Sequence, residues 1–241
     1  MALLEIDRLS KSFRGLRAVA DATLQVEERS IVALIGPNGA GKTTIFNMAA
    51  GVFAPDAGEI RFAGKRIDGL RPDQICAAGI GRTFQIVKPF AGLSVLDNVI
   101  VGALQRARDV KEARRNAGAI LDKLGLGAKR DLAASSLTLP DRKRLEVARA
   151  LATRPQLLLL DEVMAGLRPT ETDLMVEVFR ELNARDGLTI LLIEHVMRAV
   201  MALAQHIVVL HHGEIIARGA PADVVRDPAV LECYLGEDAE V

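Results

Sequence analysis

An excess of charge of either sign is missing from this sequence: lysine plus arginine and aspartate plus glutamate each total 31. Without a basic excess there is no bulk attraction to nucleic acid or to an anionic membrane surface, so any anion site must be built locally. Long apolar runs are missing too. The longest, such as LTILLI and LLLL, fall far short of the roughly 18 residues that a membrane-spanning helix needs. Two cysteines, Cys76 and Cys233, make no disulfide framework. The opening MALLEIDR carries acids where a secretory signal has a basic segment followed by an apolar one. Together these absences predict a cytoplasmic chain, soluble by itself. There is no repeat, low-complexity tract or long linker. With half of its residues hydrophobic, the 241-residue chain can build one large core with a smaller inserted lobe, but not two full-sized domains.

What is present is an alternation of strand-like and helix-like segments. LLEIDRLS, ATLQVEE and EIRFAG read as short strands around a more buried one, SIVALIG, which feeds a glycine-rich turn and the helical KTTIFNMAA. GRTFQ reads as a further strand. Residues from about 94 to 150 then carry helical patterns. From Leu157 the alternation resumes: LLLLD, a helix at about 170 to 186, LTILLIE, a helix at about 196 to 204, then HIVVL and GEIIARG. Continuous apolar strands separated by helices predict a parallel sheet buried on both faces.

The glycine-rich turn, GPNGAGKTT at 36 to 44, fits the P-loop pattern with Gly36, Gly41, Lys42 and Thr43 in register. Its chemistry explains its composition. Glycines let the backbone N–H groups of Gly36, Asn38, Gly39, Ala40, Gly41, Lys42, Thr43 and Thr44 curl around a phosphate, and the following helix adds positive potential. Lys42 would reach the β and γ phosphates, and Thr43 would bind magnesium. LLLLDE ends an apolar strand in Asp161 and Glu162, a place from which one carboxylate can serve magnesium and the other can polarise an attacking water. Taken alone, such a pair is equally a solvated strand end. His195, in LLIEHVM, ends another strand, where a γ phosphate could accept its hydrogen bond; an isolated histidine there is more often structural.

The whole set resembles the nucleotide-binding subunit of an ABC transporter, over nearly all 241 residues. That resemblance implies a P-loop NTPase of α/β class: a RecA-like parallel core, an antiparallel β subdomain near the N-terminus, and a helical subdomain inserted at about 86–152, all within a single nucleotide-binding domain over 1–241. It implies ATP and magnesium as ligands. Asp161 matches the magnesium aspartate, Glu162 the catalytic base and His195 the switch histidine. Gln85, in RTFQ, matches the glutamine that senses magnesium and the transport partner, and Phe13, in KSFRGLRAV, the aromatic that stacks on adenine. KSFRGLRAV, LLIEHVM and HHGEIIARGAP look most like the ATPases of branched-chain and hydrophobic amino acid importers. The implied partners are transmembrane permease subunits, a second ABC ATPase chain, identical or different, and indirectly a periplasmic or extracellular substrate-binding protein, with no nucleic acid. The implied place is peripheral, on the inner face of the cell membrane. A transport-independent ABC-type ATPase and a nucleotide-dependent regulatory switch are the alternatives.

One segment departs from the family. Its signature, commonly Leu-Ser-Gly-Gly-Gln, offers a hydroxyl and glycine amides to the ATP of the opposite subunit. Here the matching residues are Leu137, Thr138, Leu139, Pro140 and Asp141. Thr138 and Asp141 form a capping-box-like pattern, which would make Thr138 the N-cap and put Pro140 in a first helical turn that tolerates it. The donor that Pro140 lacks would have bonded phosphate. We expect one of Arg142, Lys143 and Arg144 either to reach the partner's nucleotide or to hold Asp141 away from phosphate; the alternative is a solvated helix face. Val163 and Arg168 also depart, standing where the family has proline and aspartate.

Overall fold

The computed structural model describes residues 2–86 and 88–237. Strands β1 (Ala2–Phe13) and β2 (Leu16–Glu27) form a hairpin closed at Arg14 and Gly15, both at positive φ. KSFRGLRAV is therefore the tip of this hairpin, longer than the two strands read from sequence. The fully buried β3 (Ile31–Ile35) leads through the glycine loop into α1 (Lys42–Ala49). β4 (Ala57–Phe62) and β5 (Lys65–Arg66) complete a four-stranded antiparallel sheet of order β2-β1-β4-β5.

A short helix that the sequence patterns do not show, α2 (Pro72–Ala78), has proline in its first turn, and the Gln74 side chain accepts the Arg71 N–H at 3.0 Å. It precedes β6 (Ile80–Arg82). The strand expected over GRTFQ stops early: Thr83 still donates to the Leu159 carbonyl at 2.9 Å, but its hydroxyl, not a backbone carbonyl, receives the Asp161 N–H at 3.1 Å. Without that rung Phe84 and Gln85 leave the sheet and turn outward.

Three α-helices follow, α3 (Val95–Ala103), α4 (Val110–Lys123) and α5 (Leu139–Ala152), packed on one another. The chain then returns to the sheet as β7 (Leu157–Asp161), α6 (Pro169–Asp186), β8 (Thr189–Ile193), α7 (Met197–Leu203), β9 (His206–His211) and β10 (Glu214–Gly219), and ends in α8 (Pro221–Val224) and α9 (Pro228–Glu237). The second sheet has the order β10-β9-β3-β8-β7-β6 and is parallel except for β10.

Why these strands are apolar without alternation is visible in what their two faces bury. Ala33, Leu158, Leu160, Ile190 and Leu192 point into a core shared with the helices, while Val32, Leu34, Leu157, Leu159 and Leu191 point into a second core beneath the antiparallel sheet and α1. Both faces are dry, so polar side chains are admitted only at strand ends. Among the described residues no helix is long and apolar enough to cross a membrane.

Glu194, directly after β8, is such an end residue and is 1% exposed. Its Oε1 accepts the Met164 N–H at 2.8 Å, which anchors the loop after β7, while its Oε2 has no partner. Burial raises its pKa from 4.5 to about 7. Below pH 4.5 the carboxyl is protonated in both folded and unfolded chains and costs nothing. As pH rises toward 7 the unfolded chain ionises first, so the folded state loses ground, reaching a constant penalty of about 3 kcal/mol above that. Glu194→Gln, which keeps an acceptor for Met164, should flatten the fall in stability between pH 5 and 7 and leave the variant more stable than the parent at pH 8. Denaturant unfolding across that range checks this, and a slope unchanged by the substitution would remove Glu194 as its source.

Candidate nucleotide site

The glycine loop is threaded between neighbouring strands. A Cβ on Gly36 would lie 1.9 Å from the Leu210 carbonyl oxygen, and one on Gly41 would lie 2.3 Å from that of Ala18. Both glycines are at positive φ, so two backbone positions admit no side chain for conformational and steric reasons together. Ala40 is buried and its carbonyl accepts the Gly213 N–H at 2.9 Å, whereas Asn38 and Gly39 form the exposed rim. The Lys42 ammonium is buried and donates to the Gly36 and Pro37 carbonyls at 2.6 and 2.7 Å. Thr43 and Thr44 occupy the first turn of α1, with Thr43 exposed.

Asp161 ends β7 at 1% exposure. Burial raises its pKa, opposed by the Arg82 guanidinium, whose Nη2 donates to Oδ2 at 3.0 Å. The other oxygen, Oδ1, is buried with no partner. Next along the chain, Glu162 takes a positive φ of 51°. Its carboxylate is held on both sides: Gln85 Nε2 donates to Oε2 at 2.7 Å and His195 Nε2 lies 2.9 Å from Oε1. A carboxylate only accepts, so the histidine carries its proton on Nε2. The structure thus brings Gln85, Glu162 and His195, from three separate segments, into one contact.

Thr43, Arg82, Phe84, Gln85 and Asp161 line a cleft of about 460 Å³ together with Ile86, Lys88, Glu146 and Arg149. The oxygens of Thr43, Gln85 and Asp161 suit a hard divalent cation. The bare Asp161 Oδ1 is the observation that fits one, because an unpaired buried carboxylate oxygen is costly unless something positive meets it. Phe13 stands apart from this cleft, 38% exposed at the hairpin tip, its ring edge-on to Phe53 at 5.3 Å and 5.7 Å from the Lys11 ammonium.

The α5 segment has Pro140 in the first turn as expected and differs from the capping expectation only in its side-chain bond. Thr138 is the N-cap, but its hydroxyl makes no capping bond; it donates to Asp141 Oδ2 at 2.8 Å instead. Asp141 is buried, and although burial works to raise its pKa, the bonds from Lys129 and Thr138 and the nearby Arg144 hold it below the usual carboxylate range. Lys129 also forms an ion pair with it, and Arg144 Nη1 lies 3.8 Å away. Arg142 Nε donates to the Leu137 carbonyl at 2.9 Å. Lys143 is no solvated side chain: it is 6% exposed and its ammonium donates to the Glu162 carbonyl at 2.9 Å. Thr138 and Asp141 are not among the residues that line the cleft. Sequence reasoning missed Arg82, Glu194 and the inward course of Lys143; the available signal was a charged residue abutting a fully apolar strand or face.

Comparison with known proteins gives the family. A family profile described as ABC transporter matches residues 19–165, and one described as branched-chain amino acid ATP-binding cassette transporter matches residues 214–240. The chain is similar to the high-affinity branched-chain amino acid transport ATP-binding protein LivG of Salmonella typhimurium, 39% identical over 250 residues, covering 98% of each chain. It is 38% identical to BraF, of the same description, from Pseudomonas aeruginosa, again over 98% of each. A crystal structure of an ATP-binding cassette of an ABC transporter in its ADP conformation superposes with a TM-score of 0.89 at 30% identity, covering 98% of this chain and 99% of the other. With the family profile spanning more than half its length and these relatives covering nearly all of it, the chain belongs to the ATP-binding subunits of ABC transporters.

Proposed function

We propose that this chain hydrolyses ATP to drive an importer of branched-chain or other hydrophobic amino acids. The observation that carries the enzymatic part is the Glu162 carboxylate, gripped by Gln85 and His195 at the edge of the cleft behind the glycine loop. The C-terminal match and the named relatives support the cargo.

In this reading the loop from Gly36 to Thr44 cradles the phosphates with its N–H groups, and Lys42 turns from the Gly36 and Pro37 carbonyls toward the β and γ oxygens. Thr43, Gln85 and Asp161 hold magnesium, which when bound supplies positive charge to the phosphate oxygens. Glu162 orients the attacking water and accepts its proton, while His195 exchanges its bond to Glu162 for one to the γ phosphate. Phe13 offers its exposed face to adenine. Thr138 and Asp141 face the ATP of a second ATPase chain, identical or different. The Gln85 loop and the helical subdomain, placed at about 86–152, present exposed Phe84, Ile86, Phe90, Val101 and Leu104 to the permease. That contact places the chain on the inner face of the membrane, with the substrate-binding protein acting from the far side through the permease.

Glu162→Gln should reduce steady-state phosphate release in the reconstituted transporter at least a hundredfold while ATP binding stays within threefold. Residual turnover within tenfold of the parent would deny Glu162 its role, and a parent that binds ATP but scarcely turns over with its permease would instead favour the switch. In the Glu162→Gln background, Pro140→Gly restores one N–H donor. A hydrogen bond to a charged group is worth about 1.5 to 3 kcal/mol, and a self-paired dimer gains one at each of its two sites, so ATP-driven dimerisation measured by sedimentation should tighten roughly a hundredfold to ten-thousandfold. No tightening would mean that this segment does not meet phosphate in a self-paired dimer.

A further inference from the structure

Arg82, the last residue of β6, is buried in a way that the nucleotide reading leaves unexplained. Its side chain is 9% exposed, and its two arms go to different elements. Nη2 donates to Asp161 Oδ2 at 3.0 Å, and Nη1 donates to Asn47 Oδ1 at 2.7 Å, on α1 one turn beyond Thr43. The guanidinium lies 5.2 Å from the centre of the Phe84 ring, the neighbour of Gln85. Its Nε is buried without a partner, as is Asp161 Oδ1.

A purely structural arginine–aspartate pair gains most by laying the planar fork across both carboxylate oxygens. That arrangement is absent. Arg82 gives one arm to a single oxygen and the other to α1, and the bare, buried Oδ1 belongs to a residue that lines the cleft with Thr43 and Gln85. A bond that fixes one oxygen while sparing the other aims the carboxylate.

We propose that Arg82 is a positioning residue for the metal: it locks Asp161 to α1 so that Oδ1 is held at a set place relative to Thr43 for the magnesium that accompanies nucleotide. The proposal rests on the nucleotide reading. It gives Asn47 the role of anchor for the fork, and it makes the Gln85 segment sensitive to the same contact through Phe84. Lysine could not do this work, since one ammonium on a flexible stem cannot span Asn47 and Asp161 with a rigid fork.

The test is calorimetric titration of ADP, with magnesium and with EDTA, into the parent chain and into Arg82→Met and Asn47→Ala. The parent should bind ADP more tightly with magnesium. Arg82→Met should lose at least tenfold of that gain and Asn47→Ala about threefold, while both bind ADP in EDTA within twofold of the parent. A magnesium gain unchanged in both variants overturns the proposal. So does an equal loss with and without the metal, which would mark Arg82 as structural only. A parent that binds ADP with no gain from magnesium refutes the metal assignment, and one that binds no ADP refutes the nucleotide reading itself; these results are distinct from a failure of Arg82. Should Arg82→Met not fold, Asn47→Ala decides, because it frees the fork without removing the charge that balances Asp161.

Discussion

The register of three adjacent parallel strands is the constraint on which this site depends. Leu34 on β3 and Asp161 on β7 both stand level with Ile193 on β8, so the glycine loop, the Glu162 loop and the Glu194–His195 pair leave the same edge of the sheet. That register is fixed by packing, since the strands bury leucine, isoleucine and valine on both faces, and a one-residue slip would turn every side chain to the opposite core. Because the slip is forbidden, residues 31 to 79 positions apart in the chain meet at hydrogen-bond distance at this edge. The Glu162 N–H to the Ile193 carbonyl, at 2.9 Å, is the first such bond beyond the ladder.

From that bond outward, the order of the site is maintained by polar contacts in place of packing. Glu162 sits in the left-handed region, which for a residue with a Cβ costs roughly 1 to 3 kcal/mol and persists only where its surroundings over-determine it. Here they do. Its N–H is taken by β8, its carbonyl by Lys143 from α5, and the loop that follows by Glu194 through Met164. The left-handed turn swings the Glu162 side chain away from the line of β7, toward Gln85 and His195. Lys143 therefore links the helix that departs from the family signature to the backbone of the residue next to Asp161. A displacement of α5 has a short path to the site.

How much of this was readable from the sequence follows from the range of each interaction. The glycine loop and the apolar strands were legible because their causes are local: close backbone approach demands glycine, and burial on both faces demands unbroken hydrophobicity. α2 was not, because two turns beginning at a proline are too short to show a period. The end of β6 was misplaced because a threonine hydroxyl replaced a ladder carbonyl, a substitution that no run of apolar residues announces. Arg82 and Glu194 read as ordinary charges and Lys143 as a reach toward nucleotide or Asp141, since the partners of all three lie on other elements and only the folded register brings them near. Phe13 shows the converse. The sequence offers it only as a resemblance to an adenine-stacking aromatic, and the fold adds where it stands, at the hairpin tip, 38% exposed and edge-on to Phe53.

The basic run after Pro140 can now be weighed residue by residue. Arg142 is tied to the Leu137 carbonyl, Lys143 to that of Glu162, and Arg144 lies beside Asp141, which Lys129 and Thr138 also hold. These bonds turn Lys143 and Arg144 back into their own subunit, while Arg142 stays exposed on the helix face. Of the two roles expected of them, the geometry favours restraint of Asp141 by Arg144, with Lys129 as the stronger participant, over extension toward a second nucleotide. That restraint has an electrostatic use. An uncompensated carboxylate at the start of α5 would repel an incoming phosphate, and neutralising it from within removes the repulsion without adding a donor. The missing N–H of Pro140 is then not replaced by this segment. In the proposed dimer, compensation would come from residues that the second chain brings to the same interface.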